Sequence, residues 1–193
     1  MHGEPVLHGA GFVVRVGKPA DIPQIVGYFQ RNREHLAPTS PSPPADFYSA
    51  AHWRARLARA DEGYRADRLL HCFVFREPKS RAAGSDEVVG TVNLSNFVRG
   101  VFQACHLGYS IDRELEGTGT MSAAVRLVIG HAFGPLNLHR VMANHLPENE
   151  RSARLLARLG FRIEGHASAY LQIAGVWRDH VLTSLVNEHW RGP

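Results

Sequence analysis

Two stretches of the chain combine residue types and spacings that could do chemistry. The first is ELEGTGTM (114–121), in which Gly117 and Gly119 stand one residue apart ahead of an apolar stretch. A strand ending at Ile111, a short link and a helix starting at the second glycine would leave several backbone N–H groups without partners. The helix dipole adds partial positive charge at the same place. Main chain of this kind can hold a pyrophosphate, and it asks for small residues rather than particular side chains. A Gly-x-Gly turn with no ligand is at least as common, so the loop alone does not decide. A nucleotide P-loop is excluded because no Gly-Lys-Ser/Thr follows. A dinucleotide fingerprint fits poorly, with Ser122 at the third glycine position and no acid about 20 residues on.

The second stretch, PENERSARLLARLGF (147–161), begins about thirty residues further along, where a strand ends. Asn149 opens an amphipathic helix with Ser152, Leu155, Leu156 and Leu159 on one side, closed by Gly160. Taken with GYSIDRELEGTG (108–119), it resembles the GNAT superfamily of N-acetyltransferases. In that family a Gln/Arg-x-x-Gly-x-Gly/Ala loop binds the pyrophosphate of acetyl-CoA, and the Asn of an Asn-x-x-Ser/Ala…Gly-Phe segment contacts the pantetheine arm. NLSNFVRGVFQACHLGYSI (93–111), MANHLPENERSARLLARLGFRIEG (142–165) and GVWRDHVLTSL (175–185) are similar to the bacterial ribosomal-protein-alanine N-acetyltransferases, with a looser match at GYFQRNREHLAP (27–38).

The resemblance implies a single α+β acetyltransferase domain over 1–193. Its central sheet would be mixed and mostly antiparallel, with helices on both faces. The fourth and fifth strands, 101–111 and 138–145 here, would splay apart to admit acetyl-CoA as co-substrate. Ile111, Glu116, Gly117, Thr118, Gly119, Thr120, Met121, Asn149 and Ser152 would form the cofactor site. Three positions depart from the superfamily pattern. Glu116 replaces the usual Gln or Arg; since that residue contributes mainly its N–H, its side chain is expected to turn to solvent and to weaken phosphate binding slightly. Met121 replaces the final Gly or Ala, as this branch often does. Leu156 stands where other branches carry a Tyr general acid.

Acyl transfer from a thioester to an amine requires a neutral amine, a polarised carbonyl and a protonated leaving thiolate. No carboxylate falls convincingly on the two splayed strands: Asn144 sits where one related branch has its Glu, and Ala169 precedes Tyr170 where relatives often carry an acid. An α-amine, with a pKa of about 7.7–8.0, is roughly one-tenth neutral near pH 7. A lysine at about 10.4 faces a deficit of roughly 4.6 kcal/mol. The missing carboxylate therefore favours an α-amine acceptor. His145 is a candidate base or relay, or a hydrogen-bonded structural histidine. Ser152 could protonate the thiolate or only bind cofactor, and Tyr170 could reach the amine or simply pack. Tyr109 reads as pocket wall, and Arg151, Arg154 and Arg158 as a solvated face or a 3′-phosphate contact. His106 and Cys72 read as structural.

The function so implied is acetyl transfer from acetyl-CoA directly to a protein N-terminal α-amine, the Ala or Ser of a ribosomal protein, with possible ribosome association. Two alternatives stand beside it: acetylation of a small amine such as an antibiotic or polyamine, and a non-catalytic acyl-CoA-binding or ribosome-associated module. No metal is implied. A monomer and a homodimer are equally compatible with the sequence.

The elements that must position these residues are read from periodicity. FVVRV (12–16) is a strand, and Asp21 is placed to N-cap a helix whose Ile22, Ile25, Val26 and Phe29 face the core. PTSPSPP (38–44) is a stiff loop. A helix carrying Phe47, Trp53 and Leu57 follows and ends near Gly63. Strands are expected at 69–76, 87–96 and 101–111, the last two joined by the FVRG hairpin. EPKSRAAGSDE (77–87) is a polar, mobile connection. Met121, Val125, Val128 and Ala132 mark one helical stripe, 137–145 a strand, and the end two strands around Ala174-Gly175.

The 193 residues, 44% of them hydrophobic, suffice for one full core. No apolar run approaches the ~18 residues of a membrane helix, and the first residues lack a signal-peptide pattern. With Cys72 and Cys105 both inside apolar strands, reduced thiols and a cytoplasmic setting are expected. The net charge of +4 and a pI near 9.4 could suit a nucleic acid. The 20 Arg and 2 Lys are scattered rather than clustered.

Overall fold

The computed structural model describes residues 3–77 and 87–192, so most of the connection expected at 77–87 lies outside the described residues. Among the described residues eight strands form one sheet: β1 (Val6–Gly9), β2 (Phe12–Val16), β3 (Leu70–Arg76), β4 (Glu87–Val98), β5 (Ala104–Ile111), β6 (Arg140–His145), β7 (Arg162–Ile173) and β8 (Val176–Val186). Their order is β1-β2-β3-β4-β5-β6-β8-β7. All neighbours are antiparallel except β5 and β6, which run parallel. The first hairpin, β1–β2, turns at Gly11 with φ of 76° and was not legible from periodicity. It makes the splayed strands fifth and sixth in chain order.

Strand alternation explains why helices cover both faces of this sheet. On β3, Cys72 and Val74 join one buried cluster while Phe73 and Phe75 join another. The first cluster takes the stripe Met121, Val125, Val128 and Ala132 of α4 (Thr120–Phe133), together with Leu155 and Leu156 of α5 (Glu150–Arg158). The second takes Ile22, Ile25 and Tyr28 of α1 (Ile22–Arg31), and Trp53 and Leu57 of α3 (Ala50–Arg65). A single helical turn, α2 (Arg33–Leu36), follows α1 and leads into the proline-rich loop.

Several local details differ from the sequence reading. The Asp21 carboxylate does not cap α1; it turns back to accept the Lys18 N–H at 2.7 Å and pairs with Arg15 at 2.7 Å, closing a 3-10 turn over Pro19–Asp21. Phe47 precedes α3, whose N-cap is Ser49 accepting the His52 N–H at 3.0 Å. Cys72 and Cys105 are free and buried, and burial pushes both thiols up to about 12.

The cleft arises where parallel pairing fails. β5 and β6 share only Ala104↔Arg140, Cys105↔Val141 and His106↔Met142, although β5 runs on to Ile111 and β6 to His145. Beyond these pairs β6 keeps its register with β8, down to His145↔Val181. β5 stays with β4, up to Ile111↔Gly90. The two halves of the sheet therefore separate, and past His106 the edge of β5 that faces β6 has no neighbouring strand.

Candidate active site

One wall of the cleft is the turn from β5 into α4, anchored by Asp112. Its carboxylate accepts from Arg31 Nε at 2.6 Å, Asn32 Nδ2 at 3.0 Å and the Glu114 N–H at 3.2 Å. Asn32 Oδ1 in turn accepts the Arg113 N–H at 3.0 Å. Burial alone would raise the Asp112 carboxyl; the bonds from Asn32, Arg31 and the Glu114 amide outweigh it and hold the group below its ordinary value. The end of α1 is thereby fixed to the entrance of the glycine loop.

Within the loop the amides divide into two sets. Leu115 N–H bonds to Asp112 O at 2.9 Å, Glu116 N–H to Arg113 O at 3.3 Å and Thr118 N–H to Leu115 O at 3.4 Å. Thr120 N–H lies 3.4 Å from Thr118 Oγ1, and Thr118 Oγ1 also donates to Leu115 O at 2.7 Å. The first helical bond is Ala123 N–H to Gly119 O at 3.0 Å. That leaves Gly117, Gly119, Met121 and Ser122 with no chain partner for their N–H groups among the described residues. Gly117 and Gly119 take φ of 75° and 86°, the left-handed region that suits glycine, and this turns successive amides the same way. All four residues line a cleft of about 620 Å³.

The opposite wall comes from β6, β8 and α5. Asn149 caps α5, its Oδ1 accepting the Ser152 N–H at 3.1 Å and its Nδ2 left without a chain partner among the described residues. Ser152 Oγ lies 2.7 Å from the Tyr109 hydroxyl, so a hydroxyl pair bridges the gap between β5 and α5. Burial pushes the Tyr109 phenol up to about 12, against the lowering effect of the Ser152 bond, so it stays protonated at neutral pH. His145 is buried, with Nδ1 2.8 Å from Leu146 O. Because a carbonyl only accepts, Nδ1 carries a proton, and in the neutral ring Nε2 is the acceptor. Arg151, Arg154 and Arg158 all border the cleft; Arg154 pairs with Glu150 at 2.8 Å.

Glu116 corrects an expectation. Its side chain does not turn to solvent; it is 22% exposed and lies between two bases, with Oε1 3.4 Å from His35 Nε2 and Oε2 in contact with Arg151 Nη1. The reason is local charge. Arg151 sits in the first turn of α5, where the helix dipole disfavours a cation, and the carboxylate opposite neutralises it.

Of the residues singled out from sequence, Ile111, Glu116, Gly117, Gly119, Met121, His145, Asn149 and Ser152 border one cleft. Thr118 and Thr120 do not line it and stabilise the turn instead. Tyr170 does not line it either: its hydroxyl accepts from Asn144 Nδ2 at 3.3 Å, so Asn144 stands between it and the cleft. Leu156 is buried in the core, and the hydroxyl opposite Ser152 belongs to Tyr109. His35, Ser40, Ser122 and His180 border the cleft as well and were missed. Ser122 carried a signal, as the residue after Met121 in the first turn of the anion-binding helix. His35, Ser40 and His180 arrive by tertiary packing alone. Among the described residues no group of three or more His, Cys, Asp or Glu could hold a metal.

A sheet split at its one parallel pair, with free amides on one lip and a capping Asn on the other, is the arrangement of one protein class. The family model described as the acetyltransferase (GNAT) domain matches residues 12–162. The chain belongs to this family and is an acetyltransferase. It is 39% identical over 178 residues to the [ribosomal protein uS5]-alanine N-acetyltransferase of Escherichia coli (strain K12), covering 92% of this chain and 89% of that protein. The probable N-acetyltransferase YjcK of Bacillus subtilis (strain 168) is 34% identical over 182 residues, 94% of this chain and 97% of the relative. Among solved structures, the ribosomal-protein-S5-alanine acetyltransferase from Vibrio fischeri superposes with a TM-score of 0.90 at 39% identity, covering 97% of this chain and 100% of the other. Mycobacterium smegmatis RimJ in complex with CoA-disulfide gives 0.85 at 25% identity, covering 98% and 89%.

Proposed function

We propose that the chain transfers an acetyl group from acetyl-CoA directly to the N-terminal α-amine of a ribosomal protein, an Ala or Ser terminus, in the cytoplasm. The observation that carries the cofactor half of this reading is the set of unpartnered amides at Gly117, Gly119, Met121 and Ser122 on the lip of the cleft. Gly117 and Gly119 are exposed, so their N–H groups are open to an acceptor from outside the chain, and an array of such groups at a helix N-terminus fits a diphosphate. The relatives' names support the acceptor half.

Acetyl-CoA, when bound, supplies an acetyl group activated as a thioester. The chain's own residues do the rest. The amides of the loop and the guanidinium groups of Arg151 and Arg158 hold phosphate, and Asn149 Nδ2 is free to donate to an amide carbonyl of the pantetheine arm. Past His106 the main chain of β5 has no β6 partner, so its free edge would be open to that arm. The Tyr109–Ser152 pair, 2.7 Å apart, holds a proton at the point where the splayed strands meet α5 and can deliver it to a departing thiolate. His145 Nε2, the unprotonated nitrogen, accepts a proton from the amine directly or through water. No covalent intermediate is needed, since the neutral amine can attack the thioester carbonyl itself and expel the thiolate.

An acceptor that is a free cationic small amine would be drawn by acidic walls. Glu116 is the one carboxylate among the residues bordering the cleft, and it is already engaged. The test uses acetyl-CoA with short peptides and detection of released thiol. Ala-starting peptides are expected to release thiol well above free lysine, polyamine or buffer; equal release from all of them would reject the assignment.

A further inference from the structure

The chemistry above uses Arg151 but leaves unexplained the carboxylate of Glu116 that holds it, with His35 on the other side. It joins three elements that meet only across the cleft mouth: the glycine loop, α2 and the first turn of α5. Glu116 is 22% exposed, whereas the Arg151 side chain that reaches it is 69% exposed. The carboxylate is therefore held in place and the guanidinium is the movable partner. The unpartnered amides begin at the next residue, Gly117, and continue at Gly119. An acid is thus built into the rim of a site whose every other feature favours an anion.

From this geometry we infer that Glu116 is an internal counter-ion, holding Arg151 until phosphate groups take it over. The inference rests on the acetyl-CoA reading above and adds to it a role for a side chain that the glycine loop itself does not require. With no ligand, Glu116 neutralises Arg151 at a helix start where a bare cation is disfavoured. When phosphates occupy the adjacent amides, the guanidinium turns to the more highly charged partner and bonds it in a fork. Glu116 then keeps only His35. The exchange has a consequence for ligand choice. Binding of a phosphorylated ligand must break the Glu116–Arg151 pair, while binding of the phosphate-free pantetheine arm leaves it intact. The carboxylate thereby lowers affinity for the phosphorylated cofactor and has no effect on the arm.

The test is isothermal titration of wild type, Glu116→Gln, Arg151→Gln and the double variant with CoA and, separately, with pantetheine. Glu116→Gln is isosteric and should leave the fold unchanged. It is expected to tighten CoA binding about three- to fivefold, the scale of one exposed ion pair, and to leave pantetheine binding unaltered. In the Arg151→Gln background no pair remains to be broken, so the gain from Glu116→Gln must shrink. A gain of equal or larger size there would mean plain repulsion and would overturn the exchange. So would a weaker or unchanged CoA affinity in Glu116→Gln, or parallel changes for CoA and pantetheine, which would mark a structural role. If wild type itself fails to bind CoA, the acetyl-CoA reading falls, and this inference with it; if wild type binds and the pattern is absent, only this inference falls.

Discussion

Replacing Asp112 by Asn tests whether the glycine loop is held from α1 by charge. The carboxylate is buried and receives three donors, two of them from adjacent residues of one helix end, Arg31 and Asn32. Hydrogen bonds to a charged group contribute about 1.5–3 kcal/mol each. Asn keeps one acceptor oxygen, and Arg31 keeps Glu87 at 3.1 Å as a second partner, so the expected loss is about 2 kcal/mol. For a chain of this length each kcal/mol moves the midpoint by about 2–4 °C, which predicts a fall of about 4–8 °C at neutral pH. The pH dependence fixes the cause. The folded-state pKa of Asp112 is lowered, so its stabilisation is complete above the ordinary carboxylate range and is lost as pH falls through the folded value. Wild type and Asp112→Asn should therefore differ fully at pH 7 and at pH 5, and converge in stronger acid. Thermal and urea unfolding across that range measures it. Equal stability at pH 7, or a gap that persists unchanged into acid, would refute the charge-based anchor.

Three further substitutions separate the parts of the cleft. Gly119→Ala meets no atom within 4 Å but must hold φ of 86°; it should cost about 1–2 kcal/mol in denaturant titration and weaken CoA binding, because the methyl stands beside the free amides. Tyr109→Phe and Ser152→Ala should each lower kcat about a hundredfold or more with little change in KM for acetyl-CoA, and the double variant should be no worse than the poorer single one if the hydroxyls act as one relay. Asn149→Ala removes the α5 cap, at a cost of about 1 kcal/mol, and should raise the Kd for pantetheine and CoA alike, in contrast to Glu116→Gln.

What could be read from the chain was whatever repeats along it. The α4 stripe, the Asn149 cap and the Gly160 stop are local patterns, and the structure has them where the spacing put them. The β1–β2 hairpin escaped because VLHG is short and half-exposed, with too few residues to show alternation. Asp21 misled because a carboxylate before an apolar run looks like a cap, and only the fold brings Arg15 to it. In the cleft, the residues contributed by the two motifs were legible. His35, Ser40 and His180 were not, because they reach the cavity from segments distant in sequence. Glu116 fell between these cases: its position in the loop was clear, but its side chain obeys partners on α2 and α5 that no local pattern names.

The same distribution of charge bears on which amine the cleft can use. A lysine acceptor starts about 4.6 kcal/mol from its neutral form at pH 7, and an α-amine only about 1–1.4 kcal/mol. Removing the larger deficit calls for a strong base, ordinarily a carboxylate on the splayed strands. Here the strand residues that border the split include Leu107, Tyr109, Asn144 and His145, and among the described residues bordering the cleft the one acid, Glu116, is held by Arg151 and His35 beside the glycine loop. A neutral proton acceptor, such as an imidazole nitrogen or a water chain, would match a nucleophile that is already about one-tenth deprotonated. The formal charge of +4 gives the chain no overall attraction for a basic acceptor protein. The acceptor's pKa is then one basis for selectivity between amines, a demand that a peptide's α-amine meets and a lysine side chain does not.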